Sequence, residues 1–414
     1  SNSPSAKMLQ IASAASKDYY LHRLIPQNIA QAHISGDIHI HDLDFYAKTF
    51  NCLNIPLGRL LSTGFNNGHG FIRPPKRPSS ATALAAIILQ SSQNDMFGGQ
   101  SFGFFDRDIA PYMIGASEEE VFQAMEALIY NLNSMHSRAG AQVPFSSLNI
   151  GLETSPEARS VIKNLLLAYE RGLGHGENPI FPNIIFRIKK GINFDPGDPN
   201  YDLFKLAIRV ASQRLNPTFS FMDSSYNAPY NGQVAYMGCR TRVISDRFAE
   251  PQTDGRGNIS FTTINLPRLA LRANGDIMKF YEYLDEILTL VGEQLYHRFQ
   301  IQSNLRVADL PFLMGQQLYM GSENLGPNDT VGESIKHGTL STGFIGLAET
   351  LIALTGHHHG ENADSLALGE EIIAFMRNKT DKLADKYNLN YTMIATPAEG
   401  LSGRFVKIDA KDFG

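Results

Sequence analysis

The chain has 414 residues, of which 43% are hydrophobic and 25 are Phe, enough to bury a large core in one big barrel or two domains. Its formal net charge of −5 argues against broad nucleic-acid binding but leaves room for a local basic pocket that takes a nucleotide. Only two cysteines occur, Cys52 and Cys239, with no CxxC pair, no secretory leader and no apolar run long enough to span a bilayer. The expected setting is therefore reducing and cytoplasmic, without a cysteine-based zinc site in this chain. Ser1-Asn2 resembles the scar a protease leaves, so the natural chain is expected to begin upstream.

The first informative stretch is Ile38-His39-Ile40-His41-Asp42. Its alternation predicts a strand with His39 and His41 on one face and both isoleucines on the other. Two imidazoles on a first barrel strand suit a metal-dependent hydrolase, provided that further ligands such as His136 or His175 join them. Hydrogen bonding to a substrate and a purely structural role are the other readings. Cys52 follows Asn51. Gly98-Gly99-Gln100 and Arg138 to Pro144 are small-residue turns that permit close approach by packing or by a ligand.

Ser117 with Glu120 forms a capping box ahead of a helix carrying Val121, Met125, Leu128, Leu132 and Met135 on one face. Ser155-Pro156 opens a second helix, Asp276 caps a long third, and residues 366–386 read as a fourth. Strands are expected over 145–150, 183–188, 218–222, 259–264 and 391–395. Helices alternating with short strands predict an α/β protein with a largely parallel sheet, taken as a single barrel-like domain over 1–414.

Cys239 lies in Tyr236-Met237-Gly238-Cys239-Arg240-Thr241, past a probable strand and between a glycine and an arginine. A spare cysteine is usually a small core hydrophobe, but these flanks favour chemistry. Asp254-Gly255-Arg256-Gly257-Asn258 is a tight turn that fits either a hairpin or a phosphate contact. His357-His358-His359-Gly360 reads as a solvated loop. Thr396-Pro397-Ala398-Glu399-Gly400 follows the last strand and precedes a possible helix start, where backbone N–H groups would face an anion.

Taken together, HIHDLDFY and NC, RPPK with ATALAA, FGGQSF, SRAGAQVPFSSLN, NPIFPNIIF, YMGCRT, GRGNISFTTINLPRLAL, HGTLSTGFIGLAETL and TPAEGLSGRF resemble the catalytic subunit of anaerobic (class III) ribonucleoside-triphosphate reductase, a glycyl radical enzyme. The blocks keep the family order from Ile34 to Phe405. The resemblance implies a ten-stranded α/β barrel of the glycyl radical enzyme and ribonucleotide reductase type, built from two five-stranded halves, with a finger loop inside it. On the motif matches, Cys239 is the thiyl-radical cysteine, Cys52 the second active-site thiol, and Asn258 a residue beside the substrate, where formate is the reductant. His39 and Thr241 match substrate contacts, and Thr396, Ala398, Glu399 and Gly400 the loop for the substrate phosphates. Lys76 and the helix through Gln90 match a dNTP or ATP effector site at a homodimer interface.

The resemblance further implies a radical-SAM activating enzyme as partner. The family's ATP-binding N-terminal domain and its C-terminal segment, with four zinc-binding cysteines and the glycyl radical loop, have no counterpart in these 414 residues. The chain alone is thus expected to fold and bind nucleotides without turning over. The rivals are the hydrolase built on His39 and His41, and a nucleotide-binding regulatory fragment that keeps the fold without the chemistry.

Overall fold

The computed structural model describes residues 3–138, 140, 142–238, 241–243, 245–398 and 400–414. In chain order the strands used below are β1 (Ile38–Ile40), β2 (Leu53–Asn54), β3 (Gln100–Phe102), β4 (Ser146–Ile150), β5 (Asn183–Ile188), β6 (Thr218–Phe221), β7 (Tyr236–Met237), β8 (Thr241–Arg242), β9 (Asn258–Asn265), β10 (Thr339–Ile345) and β11 (Asn390–Ala395). The helices are α1 (Gln27–Ser35), α2 (Pro78–Asp95), α3 (Glu118–Ser134), α4 (Pro156–Arg171), α5 (Ile277–Ser303), α6 (Ala363–Tyr387) and α7 (Gly400–Phe413). The chain divides into two compact units: unit 1 comprises 1–9, 52–257 and 306–335, and unit 2 comprises 10–51, 258–305 and 336–414. The chain passes from one to the other at Asn51–Cys52 and again at Gly257–Asn258.

The sequence signals for helix starts hold. Ser117 accepts from the Glu120 N–H while Glu120 returns a bond to the Ser117 N–H, at 3.2 and 2.8 Å. Ser155 caps α4 through the Ala158 N–H, and Asp276 caps α5 through the Lys279 N–H. Each cap satisfies N–H groups that the first helical turn leaves unpaired.

Unit 1 is built on a five-stranded parallel sheet in the order β2-β3-β4-β5-β6. Its two faces differ in chemistry. One carries Leu53, Phe102, Leu148, Ile150, Ile184 and Phe186, all buried. The other carries Asn54, Ser101, Ser147, Asn149, Arg187 and Ser220, also buried, and in register from strand to strand. A polar face withdrawn from water must find hydrogen-bond partners inside the protein. That requirement shapes the candidate site.

Unit 2 holds a four-stranded sheet, β1-β9-β10-β11, with β1 antiparallel to β9 and the other pairs parallel. The resemblance expects five strands in this half; among the described residues there are four, because after Ala395 and a short loop the chain enters α7. The core strand β10, Thr-Leu-Ser-Thr-Gly-Phe-Ile, is not among the strands expected from sequence. Arg298 of α5 is buried and donates to the carbonyls of Tyr46, His41 and Asp42 at 2.9, 2.9 and 3.2 Å. It thereby fixes the turn after β1, where Asp42 takes a left-handed conformation at φ 51°. No helix among the described residues is long and apolar enough to cross a membrane.

Candidate active site

In unit 1 the polar sheet face is covered by the β7–β8 hairpin, in which Thr241 pairs with Met237 and Arg242 with Tyr236. Asn149 holds it. The Asn149 Nδ2 donates to the Tyr236 carbonyl at 3.1 Å and its Oδ1 accepts from the Tyr236 N–H at 2.9 Å. One side-chain amide thus does for Tyr236 what a neighbouring strand would do. Ser101 donates to the same carbonyl at 2.7 Å, Ser220 bonds the Tyr236 hydroxyl at 2.9 Å, and Asn183 reaches the Gly238 carbonyl at 3.4 Å.

Cys52 lies at the edge of this face, buried in a cluster with Met237 and Val243 of the hairpin region. Its Sγ accepts the Gly99 N–H at 3.3 Å. Gly99 in turn packs on Gly238: a Cβ on Gly99 would sit 2.8 Å from the Gly238 Cα, and one on Gly238 3.1 Å from the Gly99 Cα. Any side chain at either position would push the hairpin away from the Cys52 sulfur. Gly257 is equally constrained, since its Cβ would fall 1.8 Å from the Cys52 carbonyl oxygen. Tyr319 is fully buried, and burial, with Cys52 as a lesser contributor, raises its hydroxyl pKa above the usual range. Cys239 and Arg240, which follow Gly238 in sequence, lie outside the described residues, as does Glu399. The segment after the hairpin is anchored by Arg256, which is buried and donates to the Ser245 carbonyl at 2.8 Å, with Asp246 at 3.8 Å. Burial lowers the Arg256 pKa to about 10. Its guanidinium is committed to this loop, so the phosphate-contact reading of the GRGN turn gives way to an anchoring one.

In unit 2 Asn258 opens β9 at a register irregularity. Its Oδ1 accepts from Ser341 at 2.7 Å and Thr339 at 3.0 Å, and its Nδ2 lies 3.5 Å from the Asn51 Oδ1. Two hydroxyl donors leave the amide only one orientation, with its NH2 as the donor. Asn51 itself donates to Asp42.

His39 and His41 do share a face: their rings are 4.8 Å apart, and His33 of α1 extends the row, 5.3 Å from His39. His33 accepts the Ile40 N–H at 3.1 Å. The His39 Nδ1 is buried without a hydrogen-bond partner among the described residues. Burial, helped by Arg404, lowers the pKa of His33 to about 3 and that of His39 to about 4. Burial and the neighbouring His39 hold His41 well below its ordinary value. All three are neutral near pH 7. His136 and His175, the further ligands that the hydrolase reading needs, are exposed residues of unit 1, and no group of three or more His, Cys, Asp or Glu among the described residues could hold a metal. His357 and His358 are solvated and lean on Glu361, at 3.2 and 3.6 Å.

Thr396 and Ala398 lie between β11 and α7, and Gly400 begins that helix, so the expected helix start is present. Lys76 is exposed two residues ahead of α2. Gln90 sits about 18 Å along it by helical rise from Pro78, and donates to Asn131 of α3 at 2.7 Å. Gly99 lies in the close-approach turn expected from sequence, whereas nothing in the sequence points to Asn149. The motif blocks around them were visible, but an asparagine that pairs with another segment's backbone has no local signature.

The fold is that of the anaerobic ribonucleotide reductases. Solved structures of that class superimpose over essentially the whole chain: one titled an anaerobic ribonucleotide reductase has TM-score 0.78 at 15% identity, covering 100% of this chain and 68% of that one. The Thermotoga maritima enzyme with citrate in the active site has TM-score 0.77 at 16% identity, covering 100% and 79%. The family model for anaerobic ribonucleoside-triphosphate reductase matches residues 1–414, and the chain belongs to that family. Its sequence is 33% identical to the reductases of Salmonella typhimurium and Escherichia coli, over 98% of this chain and 60% of each relative. The phage T4 protein is 30% identical over 94% of this chain and 68% of its own length. The chain thus spans about three fifths of the length of its bacterial relatives. Family membership removes the metal-hydrolase alternative.

Two outcomes are expected. Asn149→Leu should destabilise the protein by about 2–4 kcal/mol, because the Tyr236 N–H loses its partner and its carbonyl keeps only Ser101. Urea denaturation would measure this, and an unchanged midpoint would remove Asn149 as the hairpin's anchor. The second concerns pH. Unfolded histidines bind protons below about pH 6.5, whereas His39 and His33 stay neutral in the fold down to about 4 and about 3. Their contribution is therefore complete above about pH 6.5 and is lost as the pH falls, at about 1.4 kcal/mol per pH unit for each histidine. Replacing His39 by Gln should flatten the stability–pH curve between about pH 6 and 4.5 by that amount; an unchanged slope would contradict the assignment.

Proposed function

We propose that this chain is the catalytic core of a reductase that converts ribonucleoside triphosphates to deoxyribonucleoside triphosphates by thiyl radical chemistry in an anaerobic, reducing cytoplasm. The observation that carries the reading is the packing of Gly238, the residue before Cys239, against Gly99, whose N–H bonds the Cys52 sulfur. In a family that needs two thiols, the residue before one cysteine thus packs on the glycine whose N–H bonds the other.

A glycyl radical, when present, supplies the hydrogen-atom acceptor for the Cys239 thiol. Cys239 then takes the 3′ hydrogen of the ribose. Cys52 supplies hydrogen as the 2′ hydroxyl departs as water, and Cys239 returns the hydrogen to C3′. The two electrons, and with them the hydrogen that Cys52 gave up, are restored from formate, which is oxidised to carbon dioxide. Asn258 suits the carboxylate of formate because Ser341 and Thr339 occupy its Oδ1 and leave its NH2 as the donor. His39 and Thr241 contact the substrate, with the unpartnered His39 Nδ1 as the available polar atom. The loop of Thr396, Ala398, Glu399 and Gly400 holds the phosphates at the start of α7, where N–H groups and the helix dipole favour an anion.

Structures of the Thermotoga maritima enzyme have been titled with dATP in the specificity site and with dATP and CTP together. In this chain the corresponding proposal places a dNTP or ATP effector at Lys76 and the α2 face, at the interface of a homodimer. A radical-SAM activating enzyme is the proposed partner.

Anaerobic activation of this chain supplied with a glycyl radical segment, followed by conversion of CTP with labelled formate, tests the scheme. Cys239→Ser and Cys52→Ser should each abolish dCTP and labelled carbon dioxide while leaving CTP affinity within about twofold. More than trace product from either variant would refute its assigned role. Lys76→Ala should weaken dATP binding by about 1–3 kcal/mol, the loss of one charge-assisted contact. An unchanged dissociation constant would move the effector elsewhere.

A further inference from the structure

A hydrogen-bonded row crosses the unit 2 sheet on the face that carries the histidines. The His41 Nε2 lies 2.7 Å from the Thr263 Oγ1, and that oxygen lies 2.8 Å from the Thr396 Oγ1. Thr263 is on β9 and Thr396 follows β11, so the contact jumps over β10. It can do so because β10 has Gly343 at the crossing, where Thr263 pairs with it in register. A Cβ there would lie 2.2 Å from the Thr396 Oγ1 and 2.8 Å from the Thr263 Oγ1. His41 is held in place by the Phe261 ring, stacked at 4.2 Å with 8° between planes, and by Arg298 on its carbonyl. The far side of the same loop is fixed too. Arg404 of α7 donates to the carbonyls of His33 and Ile38. Arg268 ties Asp409 and Asp412 of α7 to Asp37, each within 2.9 Å.

We propose that His41 and Thr263 are positioning residues for the substrate phosphates, acting through Thr396, with Gly343 as the gap that lets the row form. The inference rests on the reading of residues 396–400 as the phosphate loop. Each threonine hydroxyl has one proton, so an anion that accepts from Thr396 leaves the row one self-consistent direction. His41 donates from Nε2 to Thr263, Thr263 donates to Thr396, and Thr396 donates to a phosphate oxygen. A neutral His41 as the Nε2–H tautomer meets that requirement. The row therefore aims a proton that would otherwise rotate freely.

The test is calorimetric binding of CTP, with saturating dATP, to wild type, Thr396→Val, Thr263→Val and Thr263→Ser. Thr263→Val removes the hydroxyl at nearly constant volume. It should weaken CTP about tenfold, the cost of one misdirected hydrogen bond to a charged group. Thr263→Ser should restore affinity to within about twofold, and combining Thr263→Val with Thr396→Val should cost no more than Thr396→Val alone. A purely structural role predicts neither the rescue nor the lack of additivity. Should Thr263→Val fail to fold, His41→Phe keeps the stack on Phe261, removes the donor, and carries the same expected loss. If Thr396→Val weakens CTP while Thr263→Val or His41→Phe does not, the positioning inference is overturned and the phosphate loop stands. If Thr396→Val leaves CTP binding unchanged, the phosphate-loop reading itself is overturned.

Discussion

The amide of Asn149 facing the peptide of Tyr236 is the interaction on which the unit 1 site depends. Without it, the polar face of a parallel sheet would present buried serines and asparagines to a segment with its own unpaired N–H and C=O. With it, the Asn149 amide and the Tyr236 peptide satisfy each other. The hairpin is seated by side chains rather than by joining the sheet as a strand. Its turn can therefore be set by the Gly99–Gly238 contact instead of by strand register.

Unit 2 solves a related problem differently. Its inner positions are Ser, Thr and Asn, and these bond one another across strands. Ser341 links Asn258 to Thr392, at 2.7 and 3.0 Å, and Thr262 bonds Gln294 of α5 at 2.6 Å. Such networks orient groups that would otherwise be free to flip. The single orientation open to the Asn258 amide is a consequence of its neighbours, not of the asparagine. A low-dielectric interior strengthens these bonds and makes each unsatisfied member costly. It also keeps the three histidines neutral, which suits hydrogen bonding better than charge pairing.

These polar interiors explain where sequence patterns fail. The helices were legible because their exteriors face water and their ends carry Ser117, Ser155 and Asp276 as caps. The strand over Asn183–Ile188 was legible because Ile184, Phe186 and Ile188 face apolar neighbours. Strand β10 was not, since Thr339, Ser341 and Thr342 are buried yet polar and Gly343 interrupts the run. Hydrophobic alternation signals a strand only where one face is apolar. Leu53–Asn54 and Gln100–Phe102 are simply too short to carry a pattern.

Sequence by itself determined the family, through collinear motifs whose residue types are dictated by chemistry, and the shared face of His39 and His41, through two-residue periodicity. It also marked Cys52, Asn258 and Thr396 as candidates. Tertiary structure alone decided that Gly238 rests on the glycine whose N–H binds the Cys52 sulfur, that Arg256 is an anchor, and that Thr263 reaches Thr396 across Gly343. The reason is physical. Periodicity and capping are local properties of the backbone, whereas these contacts join residues far apart in the chain, whose distances are set only once the sheets have formed.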